Sequence, residues 1–256
     1  MKWWLVLCLL CGTVQANQQV YMTSLEWPPY SGAKLAENGL SVAIAREAFA
    51  VMGYELVVEF KPWVRSVATA TKQERFIGYF PEYYFDSEEF VFSQPIGSGP
   101  LGLVQNTRSP IYWSQLSDLK GLRIGVVQGY VNTKEFDQLV ERGVLAVEAS
   151  VSDSRNIHKV AKSRLDVAVI DTNVLDYLIS VDPRREVLTQ RLEMNQKLLA
   201  VKQIHLAFKN TPEGQSWRDI FNKGLKQVDI NVVKARLEKS MTFDTVAQPA
   251  PQKQSD

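Results

Sequence analysis

The chain has 256 residues, of which 45% are hydrophobic and 22% charged, a composition typical of a globular α/β protein with an ordinary apolar core. Its 29 Lys and Arg residues nearly balance its 28 Asp and Glu residues, which argues against a nucleic-acid partner. The two cysteines, Cys8 and Cys11, both precede residue 17, which excludes disulfides and thiolate metal sites from the remainder of the chain.

The N-terminal segment, residues 1–16, contains one Lys, then a short apolar run, and ends in VQA. This pattern predicts a signal peptide that is cleaved after Ala16, and therefore an exported protein. The apolar run is too short to span a membrane. A lipid anchor at Cys11 is the alternative, disfavoured because Leu10 stands where a small residue is expected.

Strands and helices alternate along the chain. The first series comprises a strand at 19–25, a helix with Ser41 as N-cap and the apolar stripe Val42, Ala45, Phe49 and Met52, a strand at 54–60, a helix within 62–75 and a strand at 76–80. The second comprises a short helix at 116–121, strands at 123–127, 145–149 and 165–171, helices at 131–143 and 152–163, a return at 198–210, and helices at 211–228 and 230–240. This alternation predicts a parallel α/β sheet.

The segment RLDVAVIDTNVLDYL, residues 164–178, contains the most informative carboxylate. A buried apolar run, Val167–Ile170, stops at Asp171, and a helix follows with Thr172 or Asn173 as its expected cap. Ligands of open α/β sheets bind outside the carboxyl ends of the strands, where a carboxylate suits a cationic ligand. The alternative is that Asp171 only caps the helix or closes a turn.

Four motifs, WPPYSG, LSDLKGLRIGVVQG, RLDVAVIDTNVLDYL and IHLAFKNTPEGQSWRDIFNKGL, occur in an order that resembles the periplasmic solute-binding proteins of the polar amino acid type. These are the extracellular family-3 binding proteins of ABC transporters, and the resemblance, to a divergent member, covers residues 18–243. It implies an α/β, two-lobe periplasmic binding protein fold of type II with a ligand cleft between the lobes.

The resemblance also divides the chain. Lobe 1 is expected to comprise residues 18–103 and 204–243, and lobe 2 residues 104–203. The hinge segments would be Pro100–Pro110 and Leu198–Lys202. Residues 244–256, rich in Gln, Pro and Ala, are predicted to form a disordered tail on composition alone.

Candidate ligand-binding residues follow from the matched motifs. Asp171 matches the Asp that accepts hydrogen bonds from a ligand ammonium, and Tyr30 matches an aromatic that faces the ligand. The family's carboxylate-binding Arg falls at Asp86, so the usual carboxylate clamp is absent. Tyr130 and Asn132, in GYVNT, can still donate hydrogen bonds where the family's helper Thr is altered.

Further candidates come from position and composition. Arg65, in PWVRS, is the best substitute for the missing Arg, although a solvated Arg is its ordinary role. Trp27 and Trp63 stand at strand-to-helix turns and are pocket candidates. Seven of the fourteen residues from Tyr79 to Phe92 are aromatic and lie among acids, a mixture that suits an organic cation, although at least half of these rings are expected in the core.

The leading functional hypothesis is a periplasmic protein that binds a small polar, amino acid-like amine by hinge closure, for ABC uptake or sensing. Its partners would be that small molecule and an ABC permease or a membrane sensor, and it is expected to be a monomer without a cofactor. His158 and His205 are isolated, so no metal site is predicted.

Two alternatives stay open. The first is a cyclohexadienyl dehydratase-like enzyme on the same fold, with Glu82 or Asp86 as general acid. The second is a signalling or accessory protein whose cleft has lost its ligand.

Overall fold

The computed structural model describes residues 18–246 and the side chains of residues 18–239. The predicted signal peptide and its cleavage after Ala16 lie outside the described residues, as do residues 247–256 of the predicted tail. The last helix extends to Val246, so the first three residues of that predicted tail are helical.

The described residues form ten strands, eight α-helices and two short 3₁₀ helices. The strands are β1 (Gln18–Ser24), β2 (Tyr54–Phe60), β3 (Phe76–Tyr83), β4 (Phe90–Phe92), β5 (Gly97–Asn106), β6 (Ile124–Val127), β7 (Val147–Ser150), β8 (Val167–Asp171), β9 (Leu192–Met194) and β10 (Ala200–Lys209). The α-helices are α1 (Leu40–Ala50), α2 (Trp63–Lys72), α3 (Lys134–Glu141), α4 (Asp153–Ala161), α5 (Thr172–Val181), α6 (Arg185–Arg191), α7 (Pro212–Leu225) and α8 (Ile230–Val246). The 3₁₀ helices span Ala36–Asn38 and Leu116–Leu119.

The sheet follows the order β2-β1-β3-β10-β5-β8-β6-β7. β1 pairs in parallel with β2 and β3, and β6 pairs in parallel with β7 and β8, which gives two parallel units. We call the unit of β1–β3 lobe 1 and the unit of β6–β8 lobe 2. Between them, β5 and β10 pair antiparallel, with Gly97–Leu101 opposite Ala200–Ile204. These two long strands connect the lobes, and the predicted lobe boundaries themselves stay predictions.

The core is built from the apolar faces that the sequence periodicity predicted. On α1, Val42, Ala45 and Phe49 are fully buried, and the Phe49 ring lies 5.3 Å from that of Phe221 on α7. All residues of β3 and β8 are buried, as expected of central strands covered on both faces. None of the helices in residues 18–246 is long and apolar enough to cross a bilayer.

Local differences from the predicted elements have physical causes. Ser41 is not the N-cap of α1, because the helix begins at Leu40 and Gly39 precedes it with φ +95°. A side chain at Gly39 would meet the backbone of Tyr30, which explains a glycine at this position. The strand predicted at 76–80 continues through Pro81 to Tyr83. The elements β4, β9 and α6 were not predicted, because they are too short to show a period.

Candidate functional site

Asp171 is the last residue of β8 and the N-cap of α5, with 2% of its surface exposed. Its Oδ1 atom accepts hydrogen bonds from the backbone amides of Asn173 (2.8 Å) and Val174 (3.2 Å). The expectation that Thr172 or Asn173 caps this helix is therefore wrong, since Asp171 does so itself. Capping of α5 explains the hydrogen bonds from the backbone to Oδ1. It does not explain the contacts of Oδ2 with side chains of lobe 1.

Two tyrosine hydroxyls from lobe 1 donate to the same carboxylate. Tyr83, the last residue of β3, donates to Oδ2 at 3.2 Å, and Tyr30 lies 3.2 Å from Oδ1 and 3.3 Å from Oδ2. The side-chain amide of Asn173 donates in turn to the Tyr30 hydroxyl at 2.7 Å. The carboxyl ends of β3 and β8 therefore meet, and their side chains join the two lobes.

Burial shifts the pKa values of Asp171 and of its two tyrosine partners. The pKa of Asp171 is raised by burial, and hydrogen bonds from the α5 amides and the two hydroxyls oppose that rise. Burial, followed by the nearby Asp171 charge, raises the pKa of Tyr30 and of Tyr83 far above the ordinary value. Both hydroxyls therefore stay protonated and act as donors at any physiological pH.

Aromatic rings form the walls around Asp171. Trp27 stacks on Tyr30 with 4.5 Å between the ring centroids and meets Tyr83 edge-on at 5.6 Å. Trp63, the first residue of α2, meets Tyr130 of lobe 2 edge-on at 5.9 Å. These rings carry polar groups that can face a ligand while their bodies exclude water.

Trp63 also makes a polar contact between the lobes. Its indole Nε1 donates to the carbonyl of Gly129 at 2.8 Å. Gly129 has φ +80°, in the left-handed region that glycine occupies without strain, and this turn presents its carbonyl to lobe 1. Indole and tyrosine side chains from lobe 1 thus both engage lobe 2.

A cavity of about 20 Å³ lies between the lobes. Its lining comprises Leu25, Trp27, Trp63, Pro81, Glu82, Tyr83, Tyr130 and Val131. Three of the predicted site residues, Trp27, Trp63 and Tyr130, are among them, and Tyr30 and Asp171 contact this group through Trp27 and Tyr83. The volume suits about one water molecule, so a larger ligand requires the lobes to move apart.

The remaining residues that the sequence singled out do not line this cavity. Arg65 is exposed on α2 and lines a surface depression beside Lys61 and Lys72. Asn132 is buried in lobe 2, where its side-chain amide donates to Asp137 at 2.9 Å. The Asp86 side chain, at the position inferred for the family's Arg, is 76% exposed.

Asp86 nevertheless bridges the lobes. Its carboxylate forms an ion pair with Lys134 of α3 at 3.1 Å, and the Lys134 side chain is 69% exposed. An exposed pair of this kind contributes little to stability, because solvent screens the charges.

Two buried carboxyl groups were not among the predicted ligand contacts. Glu82, on β3, is 7% exposed and accepts hydrogen bonds from the Tyr83 amide (2.8 Å) and the Tyr79 hydroxyl (3.4 Å). Burial raises its pKa to about 8. Asp153, at the start of α4, lies 3.5 Å from the Tyr130 hydroxyl, and burial raises its pKa to about 7. For Glu82, the available signal was the mixture of aromatic residues and acids from Tyr79 to Phe92.

Among the described residues, no group of three or more His, Cys, Asp or Glu side chains has the arrangement of a metal site. His205 of β10 hydrogen-bonds through Nδ1 to the carbonyl of Ser93 at 2.8 Å, and His158 pairs with Asp182 at 2.9 Å. Both histidines make local structural contacts.

Solved structures with the same architecture are numerous, whereas no family model matches the chain and no curated protein matches its sequence. A histidine kinase sensor domain with similarity to periplasmic binding proteins superimposes with a TM-score of 0.72 at 18% identity, over 86% of this chain and 96% of that one. The chain has the two-lobe periplasmic binding protein fold. The predicted fold class is therefore confirmed.

Two further structures have the same fold. One is an ancestral arginine-binding protein bound to arginine, with a TM-score of 0.69 at 14% identity over 87% of this chain and 97% of that one. The other is an ancestral amino acid-binding protein described as a precursor of cyclohexadienyl dehydratase, with a TM-score of 0.66 at 13% identity over 87% and 93%. At these identities the likeness establishes the fold alone, so membership of the family-3 binding proteins stays a prediction.

Proposed function

We propose that the protein is an exported, periplasmic solute-binding protein that takes a small polar, amine-bearing ligand into the cleft between its lobes. The observation that carries this proposal is the buried Asp171 carboxylate, whose Oδ2 atom faces lobe 1 and, within residues 18–246, accepts hydrogen bonds from tyrosine hydroxyls only. A carboxylate so placed accepts equally well from an ammonium group.

The binding step follows from these contacts. As the lobes separate about β5 and β10, the hydroxyls of Tyr30 and Tyr83 withdraw from Asp171 with lobe 1. A ligand ammonium then takes their place, with a charge-assisted hydrogen bond about twice as strong as a neutral one. When the lobes close again, the aromatic walls exclude water and strengthen the pair further.

Thermal stabilisation by a panel of amines, amino acids and small peptides tests the proposal. An amine is expected to raise the melting temperature of the wild type and to have little effect on Asp171→Asn. Asparagine caps a helix about as well as aspartate, so this substitution removes the charge and keeps the cap.

Asp166→Asn is the matched control. Asp166 lies just before β8 and pairs with Arg123 at the surface, 2.6 Å away, so this variant is expected to keep the ligand effect. Stabilisation by no compound of the panel, or equal stabilisation of Asp171→Asn, would overturn the proposal.

A dehydratase-like enzyme is the second candidate, and one observation favours it. With a pKa of about 8, the Glu82 carboxyl holds a proton at neutral pH inside the cavity, as a general acid must. Turnover of prephenate or arogenate by the wild type, lost in Glu82→Gln and kept in Asp86→Asn, is the result this candidate requires. Unchanged substrate leaves ligand binding as the function.

Delivery to a permease and presentation to a membrane sensor are both compatible with such a cleft. Permease and ATPase genes beside this gene would favour uptake, and a neighbouring sensor gene would favour signalling. The fold is similar to that of a kinase sensor domain and to that of an arginine-binding protein, which supports sensing and uptake equally.

A further inference from the structure

Glu82 gives the cleft a second carboxyl group, next in sequence to Tyr83, whose hydroxyl donates to Asp171. It lines the cavity among the rings of Trp27, Trp63 and Tyr130 and is itself 93% buried. Tyr83 connects the two acids, because its backbone amide donates to Glu82 at 2.8 Å while its hydroxyl donates to Asp171 at 3.2 Å. The backbone and the side chain of Tyr83 therefore link the two carboxyl groups.

No Arg, Lys or His is among the described residues that line the cavity. The cation that influences Glu82 electrostatically is Lys202 of β10, outside that lining, and its ammonium lies 5.3 Å from the Tyr83 ring centroid. The cavity thus presents a carboxyl group and the faces of aromatic rings, both of which attract organic cations. A ligand carboxylate entering here would be desolvated beside acids, which is costly without a paired cation.

We propose that the cleft selects small organic cations that lack a carboxylate, such as diamines, and that Glu82 is the residue that determines this selectivity. The inference rests on the proposed function. In the bound state one ammonium group contacts Asp171 and a second cationic group contacts Glu82 between the aromatic walls. An α-amino acid with the same side chain would place its carboxylate against one of these acids.

The protonation of Glu82 supports this arrangement. Burial holds its pKa near 8, and the groups that act on it are the Tyr83 amide, the Tyr79 hydroxyl and Lys202. A ligand cation favours the ionised form, so binding releases the proton. Tyr130 lines the same cavity from lobe 2, and its hydroxyl lies 3.5 Å from Asp153. Selectivity for amines over amino acids is therefore expected to widen as pH rises from 7 to 9.

Titration calorimetry with matched pairs tests the inference: 1,4-diaminobutane against ornithine, 1,5-diaminopentane against lysine, and agmatine against arginine. Each pair differs by one carboxylate. The wild type is expected to bind at least one amine tighter than its amino acid by about tenfold or more, the equivalent of 1.4 kcal/mol. Glu82→Gln is expected to bring that ratio toward one, whereas Glu88→Gln, an exposed acid of the same segment, is expected to keep it.

The outcomes separate the two proposals. If amino acids bind as tightly as the amines, or if Glu82→Gln leaves the ratio unchanged, this inference is overturned while the proposed function stands. Loss of amino acid binding in Lys202→Gln would then identify Lys202 as the carboxylate partner. If no compound of either class binds, the proposed function fails and this inference fails with it.

Discussion

At the scale of single residues, the cleft is defined by acids whose burial changes their protonation. Asp171 accepts hydrogen bonds from helix amides at Oδ1 and from tyrosine hydroxyls at both carboxylate oxygens. Glu82 accepts hydrogen bonds from the Tyr83 amide and the Tyr79 hydroxyl. The cost of burying its charge outweighs these bonds and raises its pKa. The end of β3 therefore contributes two different groups to one site. The Tyr83 hydroxyl is a neutral donor, and the Glu82 carboxyl is an acid that titrates near neutral pH.

Because Glu82 is buried, we expect the free energy of unfolding to depend on pH. Between its ordinary pKa of 4.5 and its folded value of about 8, Glu82 holds a proton in the folded state that the unfolded chain has released. The free energy of unfolding therefore falls as pH rises, by about 1 kcal/mol per unit between pH 7 and 8, and levels off above the folded pKa. Urea unfolding of wild type and Glu82→Gln at pH 7, 8 and 9 measures the difference.

Asp153, with a pKa of about 7, acts in the same direction, so Glu82→Gln is expected to flatten the slope without abolishing it. His158 and His205 have pKa values lowered by burial and titrate below this window. Parallel pH profiles for wild type and Glu82→Gln would show that Glu82 is ionised in the folded protein.

At the scale of elements, sequence periodicity predicted the βαβ series of lobe 2 and its buried strand β8, because apolar runs and caps are local signals. The position of Asp171 at the strand end was predictable for the same reason. Its tyrosine partners were not, because Tyr30 and Tyr83 are 141 and 88 residues away in sequence. The sequence placed Glu82 only in a general mixture of acids and aromatic residues, because the predicted strand stopped at Phe80 whereas β3 continues to Tyr83 and buries Glu82.

The connecting strand β5 allows a close approach at one glycine. A Cβ atom on Gly99 would overlap the Asp171 carboxylate and contact the Tyr30 hydroxyl, whereas one on Gly97 would meet nothing within 4 Å. Gly99→Ala is therefore expected to lower the free energy of unfolding by about 1–3 kcal/mol through overpacking. It should also weaken ligand binding, because Asp171 must shift.

Gly97→Ala, two residues earlier in the same strand, is the control for β propensity and backbone entropy and is expected to cost little. Urea unfolding of both variants measures the effect. Equal stability of the two variants would contradict the packing of Asp171 and Tyr30 against β5.

At the scale of the whole molecule, aromatic side chains of lobe 1, among them Tyr83 and Trp63, donate hydrogen bonds to lobe 2. Trp63→Phe removes the hydrogen bond to the Gly129 carbonyl and keeps an aromatic ring. Losing about 1 kcal/mol of interaction shifts an equilibrium between open and closed lobes about 3- to 10-fold toward the open form. Small-angle X-ray scattering is expected to show a larger radius of gyration for this variant.

Trp217→Phe is the matched control, because the indole of Trp217 donates to Glu213 within α7, away from lobe 2. Its radius of gyration is expected to equal that of the wild type. An unchanged radius for Trp63→Phe would mean that the indole contact does not hold the lobes together.

The central prediction is that Asp171 binds the amine of a ligand in the cleft. Native mass spectrometry of wild type, Asp171→Asn and Asp166→Asn, each incubated with the same set of amines, counts bound ligand directly. A one-to-one amine adduct is expected on the wild type and on Asp166→Asn, and its loss is expected from Asp171→Asn. No adduct with any amine, or an adduct of equal abundance on Asp171→Asn, would contradict the prediction.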